Sequence, residues 1–187
     1  MTKKNCRKLM KAQLSLLDKE SYTKLSESLS DKLSFFLNDL HVIQDKKMIG
    51  AFAPLSDEPQ WALKLPLEIL SILAFPFFSE GQSVMTFRSS TFLDLELRDD
   101  FGVPILSPKK SALEIVPDLL LIPGLAFDRE GRRLGRGKGF YDKYLSEFRG
   151  IKIGLCFDGQ LIEHVPSEQH DMKMNFIITN NDLIEIK

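Results

Sequence analysis

The chain has 187 residues, of which 43% are hydrophobic and 27% charged, the balance of an ordinary soluble globular protein that can bury one sizeable core. Its formal net charge of −1 excludes a protein whose main task is coating nucleic acid. The apolar runs fall far short of the ~20 residues of a membrane-spanning helix, and the basic segment Met1–Lys11 carries no signal-like apolar stretch, so the expectation is a cytoplasmic protein with neither membrane nor nucleic-acid partners.

Leu9, Met10, Leu14 and Leu17 recur at helical spacing among lysines and predict a first helix over Lys3–Leu17. Asp18–Ser21 supplies capping candidates for a second, in which Leu25, Leu29, Leu33, Phe36, Leu37 and Leu40 step by threes and fours. Lys47–Ala53 reads as a buried strand stopped by Pro54. Asp57–Glu68 reads as a short helix with Pro59 in its first turn and Pro66 near its far end. Ser71–Phe75 and Val84–Arg88 read as strands, and Leu93–Pro108 as loop with short strand pieces, punctuated by Gly102 and Pro104. A strand over Val116–Ile122 enters a glycine-rich loop, and a helix over Lys138–Phe148 leaves it. Ile151–Phe157 and Phe176–Thr179 are late strands joined by a polar connection, Val165–Met174. Strands alternating with helices predict an α/β fold with a largely parallel sheet, in a single domain over residues 1–187.

The glycine-rich loop lies inside Leu119–Leu145, LLLIPGLAFDREGRRLGRGKGFYDKYL. Gly131, Gly135, Gly137 and Gly139 alternate with Arg129, Arg132, Arg133, Arg136 and Lys138. Glycine permits close backbone approach with N–H groups facing a ligand, and arginine offers a planar fork that matches phosphate. A strand, such a loop and a helix N-terminus together make an anion cradle. The loop is no Walker A motif, because Gly139 follows Gly137–Lys138 and Arg132 stands where the first glycine belongs. It is no dinucleotide fingerprint either, because Phe140 takes the third glycine position. The plain alternative is a solvated turn. Asp142 is a candidate Mg2+ ligand beside bound phosphate, or a first-turn carboxylate favoured by the helix dipole. Glu163, Glu168, His170 and Asp171 form a second polar group, either a solvated loop or a contributor to the same metal site. Cys6 and Cys156, and His41, His164 and His170, match no zinc spacing.

The stretch PGLAFDREGRRLGRGKGFYDKYL resembles the signature of the 5-formyltetrahydrofolate cyclo-ligase family, with echoes in Lys3 and Arg7, in the Pro-rich loop after the first strand, and in the HDMK element. The resemblance implies a three-layer α/β/α sandwich with a mainly parallel, Rossmann-like sheet, similar to sugar-phosphate isomerases and coenzyme A transferases. It implies a monomeric enzyme that uses ATP and Mg2+ to convert 5-formyltetrahydrofolate to 5,10-methenyltetrahydrofolate, phosphorylating the formyl oxygen before N10 closes the ring. Carried over by position, Lys3, Arg7 and the run Arg133, Leu134, Gly135, Arg136, Gly137, Lys138, Gly139, Phe140 and Tyr141 would line the ATP site. Arg136, Lys138 and Tyr141 would be catalytic. Leu55, Glu58 and Gln60, with Arg136, Gly137, Lys138, Gly139 and Phe140, would contact the folate. Asp142 and Asp171 would hold Mg2+. Trp61 and Phe52 are candidates to stack on the pterin or to pack in the core. The chain departs from the family pattern at Phe140, Gln60, Asn175 and Cys6. Other readings of an anion-binding loop on this architecture are an enzyme for another phosphorylated substrate and a non-catalytic nucleotide- or RNA-binding module.

Overall fold

Apolar runs that do not alternate form the middle of the molecule, because strands covered on both faces need apolar side chains in both directions. The computed structural model describes residues 1–79, 85–99, 104–168 and 171–187. Helices α1 (Lys3–Leu14) and α2 (Lys19–Asp39) come first, then β1 (Ile49–Gly50), the one-turn helix α3 (Leu67–Leu70), β2 (Leu73–Phe78), β3 (Met85–Ser89), β4 (Glu96–Arg98), β5 (Ile105–Ser107) and β6 (Glu114–Ile115). There follow β7 (Leu119–Pro123), β8 (Ala126–Phe127), β9 (Arg133–Leu134), α4 (Phe140–Glu147), β10 (Ile151–Leu155), β11 (Phe176–Ile178) and β12 (Leu183–Glu185).

Eight of the described strands form one sheet in the order β12-β11-β10-β7-β1-β2-β3-β6. The pairings from β11 through β10, β7 and β1 to β2 are parallel. Those of β12, β3 and β6 at the two margins are antiparallel. Alternate residues of a strand face opposite ways. Leu119, Leu121, Ile153, Leu155 and Ile178 accordingly pack with Leu29, Leu33 and Leu37 of α2. Leu120, Ile122 and Ile177 pack with Leu145 of α4 and with Phe148 just beyond it. The result is the expected three-layer α/β/α arrangement. No helix among the described residues is long and apolar enough to cross a membrane.

Several boundaries differ from expectation for identifiable reasons. No helix forms over Asp57–Glu68; only its last residues enter α3. Pro59 and Pro66 lack the N–H a helix needs. The backbone N–H groups of Gln60 and Lys64 instead donate to the hydroxyls of Ser26 (3.2 Å) and Ser30 (2.8 Å), both buried on α2. Val116 is 82% exposed and outside the strand, which begins at Leu119 beyond Pro117. Trp61 is fully buried, and its indole N–H donates to the Phe52 carbonyl oxygen at 3.0 Å, so both rings belong to the core rather than to a pterin platform. The region expected as loop with strand pieces contains the β4–β5 hairpin. The expected strand over Val84–Arg88 is present as β3, while Val84, Gly102 and His170 lie outside the described residues.

Candidate functional site

After β7 the chain folds back as the β8–β9 hairpin, which the sequence pattern concealed because each strand is only two residues long. Asp128 builds its turn. The carboxylate is fully buried; one oxygen accepts the N–H groups of Glu130 and Arg132, each at 3.0 Å. The other accepts Val165 N–H at 2.9 Å and the Arg132 guanidinium at 3.1 Å. The hairpin is thereby tied to the segment beyond β10. α1 lies across it: Cys6, Met10 and Leu14 pack on Leu125, Ala126, Leu134 and Phe157. This places the lysine- and arginine-bearing start of α1 beside the glycine loop, at the carboxyl ends of the parallel strands, where ligands bind in open α/β sheets.

The loop itself spans residues 135–139. Gly137 and Gly139 have φ values of +100° and +74°, a region that residues with a Cβ rarely enter. Gly139 is the residue before α4, and nothing lies within 4 Å of where its Cβ would stand. Gly139→Ala therefore meets no clash and isolates the backbone cost. It lowers stability by about 1 kcal/mol, to be read from the urea midpoint at constant m-value; an unshifted midpoint would show that the loop tolerates a right-handed conformation there.

Three groups of ion pairs converge on this loop. Lys3 Nζ lies 2.7 Å from Asp171 Oδ2 and 3.3 Å from Glu168 Oε1. Burial pulls the Lys3 ammonium down, but the hydrogen bonds to Asp171 and Glu168 outweigh it and its pKa is raised. Arg7 Nε donates to the Gly135 carbonyl oxygen at 2.9 Å. Arg133 pairs through Nη2 with Asp142, donates through Nη1 to the Pro123 carbonyl oxygen at 3.1 Å, and sits 5.5 Å from the centre of the Tyr141 ring. Arg136 reaches across the fold to the loop after β1. Its two terminal nitrogens donate to both oxygens of Asp57, at 3.1 and 2.5 Å, and its Nε donates to Glu58 Oε1 at 2.9 Å. The second Glu58 oxygen accepts Leu55 N–H at 3.0 Å. Burial pushes the Glu58 carboxyl up, against the pull of Arg136 and the Leu55 N–H.

The structure thus brings Glu58 to Arg136, Lys3 to Asp171, Arg7 to Gly135 and Arg133 to Asp142. Gln60 is turned to α2, donating through Nε2 to the Tyr22 hydroxyl at 3.0 Å, while that hydroxyl donates to the Glu58 carbonyl oxygen at 2.5 Å. Leu134 is buried in the core under α1, so only its backbone faces the loop. The Phe140 ring packs 4.7 Å from that of Phe78. Lys138 is exposed. The Tyr141 hydroxyl is buried with no partner among the described residues. Burial, reinforced by nearby Glu58 and opposed by Arg133, raises its pKa, so it stands ready as a protonated donor. Asp57 and Asp128 were missed in the sequence reading. The acidic doublet Asp57–Glu58 was the available signal for the first, and the AFD triplet ahead of the arginines for the second.

Asp142 and Asp171 are hard oxygen donors, and each stands beside a cation suited to phosphate. This fits an ion that takes one or two carboxylates and fills its shell with phosphate oxygens and water. Among the described residues no group of three His, Cys, Asp or Glu is placed to hold an ion.

The model of the 5-formyltetrahydrofolate cyclo-ligase family matches residues 1–180. A 5-formyltetrahydrofolate cyclo-ligase of Mus musculus is 42% identical over 67 residues, a match that spans 33% of this chain and 33% of the mouse protein. A probable 5-formyltetrahydrofolate cyclo-ligase of Caenorhabditis elegans is 28% identical over 198 residues, spanning 97% of this chain and 94% of that protein. The solution structure of Aquifex aeolicus 5,10-methenyltetrahydrofolate synthetase superposes with a TM-score of 0.82 at 26% identity, covering 100% of this chain and 94% of that one.

Proposed function

The chain belongs to the 5-formyltetrahydrofolate cyclo-ligase family, and on that premise we propose that it closes 5-formyltetrahydrofolate to 5,10-methenyltetrahydrofolate with Mg2+ and ATP, releasing ADP and phosphate. The observation that carries this reading is the convergence of Lys3, Arg7, Arg133 and Arg136 with the carboxylates of Glu58, Asp142 and Asp171 around one glycine loop. Such a site can hold a polyphosphate and a pterin side by side.

The chemistry balances as two displacements. The formyl oxygen attacks the γ-phosphorus and the bond to the bridging oxygen breaks, freeing ADP. N10 then adds to the activated formyl carbon and loses its proton, and the C–O bond breaks to release phosphate. Phosphoryl transfer of this kind asks the protein for position and positive charge rather than covalent participation. Lys3 and Arg7 hold the phosphates from α1. Arg133 and the backbone of 134–139 cradle them, Lys138 closes over them from its exposed position, and Arg136 meets the charge on the moving phosphoryl group. The protonated Tyr141 hydroxyl donates to it. Asp142 and Asp171 would hold the Mg2+, which neutralises phosphate charge when bound. Glu58 accepts from the pterin N–H groups, with Leu55, Gln60 and Phe140 shaping that side. We take residues 1–187 to act as one catalytic domain, as a monomer, in the cytosol, where the buried thiols Cys6 and Cys156 stay reduced.

Purified protein given 5-formyltetrahydrofolate, ATP and Mg2+ should generate the methenyl chromophore, and absence of that signal from folded protein would refute the reading. Asp171→Asn should raise the Mg2+ concentration for half-maximal rate about tenfold; an unchanged metal titration removes Asp171 from the metal site.

A further inference from the structure

Asp57 grips Arg136 at two points, both carboxylate oxygens against both terminal nitrogens. A two-point contact fixes the plane of a guanidinium as well as its place, which a single contact cannot do. Glu58 adds a third bond at Nε. Arginine has five N–H donors, so two remain for a ligand, and their directions are set by the three already used.

Asp57 stands on a stiff platform. Glu58 N–H donates to the Leu55 carbonyl oxygen at 3.0 Å while Leu55 N–H donates back to the Glu58 carboxylate at 3.0 Å, closing the turn that carries Asp57. Tyr22, Ser26 and Ser30, three positions one helical turn apart on α2, tie residues 58–64 to the helix. On the other side, Arg136 stands between Gly135, whose carbonyl oxygen accepts from Arg7 Nε at 2.9 Å, and Gly137 with its positive φ, so no bulky neighbour in sequence orients its side chain and the carboxylates across the fold do.

We propose that Asp57 is a positioning residue, which aims the two unused N–H groups of Arg136 at the transferring phosphoryl group. The proposal rests on the cyclo-ligase reading above and adds a role to a residue outside the site predicted from sequence. Asp57 and Arg136 are 33% and 28% exposed, and ion pairs that water reaches add little to folding. The contact is therefore of small value to stability and of large value to aim. Removing it should act on turnover: misplacing a catalytic group by about an ångström costs on the order of 10²-fold in rate.

The test is a double-mutant cycle read on kcat, KM for ATP and melting temperature. Asp57→Asn should lower kcat about 10–100-fold while KM for ATP changes less than about twofold and the melting temperature hardly moves. Asp57→Glu, which keeps the charge at a longer reach, should recover part of the loss. In an Arg136→Ala background, Asp57→Asn should have almost no further effect, because the group it aims is gone. If the unsubstituted chain turns over and Asp57→Asn leaves kcat unchanged, or if the two substitutions multiply, the positioning role is overturned while the activity stands. If the unsubstituted chain shows no ATP-dependent cyclisation, the activity reading fails and the proposal goes with it.

Discussion

Arg136→Ala is expected to lower kcat/KM for the cyclisation about 10²–10³-fold, the usual cost of deleting one preorganised group that meets developing charge. Arg136 is the cation that joins the loop after β1 to the glycine loop, and Glu58 depends on it for one of its two hydrogen bonds. Two effects would follow the deletion. The phosphoryl group loses a donor, and the Glu58 carboxylate, 7% exposed, loses its counter-charge. The second effect also costs stability, about 1–3 kcal/mol after discounting for the solvent that reaches Arg136 and Asp57. Assays well below the melting temperature separate the two, since a folded fraction near unity leaves only the loss of charge at the transition state. Arg136→Lys should recover little, because an ammonium cannot bridge Asp57 and Glu58 as a planar fork does. A folded Arg136→Ala variant within about threefold of the unsubstituted rate would remove Arg136 from the chemistry.

Asp128→Ala is expected to give the largest loss of stability, about 3 kcal/mol or more, because it strands three backbone N–H groups and an arginine at a buried carboxylate position. For a chain of this size that corresponds to a fall in melting temperature of about 6–12 °C. The carboxylate joins the hairpin turn to Val165, so the loss should also loosen the seat of α1, which packs on the same hairpin. Asp128→Asn should fall between the two. It keeps one acceptor for Glu130 and Arg132 but turns an N–H2 group toward Val165 N–H and the guanidinium. Scanning calorimetry decides it: a shift of less than about 2 °C for Asp128→Ala would mean that the hairpin turn holds without its carboxylate.

The contrast between the two substitutions reflects how each residue is embedded. Asp128 is enclosed and bonded almost wholly to backbone, so its contribution is to the fold. Arg136 and Asp57 meet each other across a part-exposed face, where an ion pair does little for folding and much for direction. Lys3, Arg133 and Arg136 each pair with a carboxylate of the chain, so the positive charges gathered at the glycine loop are matched by Asp171, Asp142 and Asp57.

The local elements were legible because their causes are local. The three- and four-residue leucine steps of α2 exist to bury one helical stripe, and the unalternating runs at 119–123 and 176–178 exist to bury a strand on both faces. The glycine and arginine spacing marked the loop for the same reason: backbone freedom and phosphate-shaped donors are properties of the residues themselves. Ser26 and Ser30 are polar residues of α2, yet both are buried, because the proline-broken segment beside them needs acceptors for its N–H groups. No periodicity carries that information.

By itself, then, the sequence determined the layered α/β architecture, the position of the glycine- and arginine-rich loop and the residue types available there. Only the tertiary structure decided which carboxylate each cation meets. Arg136 finds Asp57 and Glu58 from 78 or more positions away, and Lys3 finds Asp171 from 168. Those meetings follow from strand order, which brings the segment after β1 and the segment after β7 to the same end of neighbouring strands, and from α1 lying across the hairpin between them.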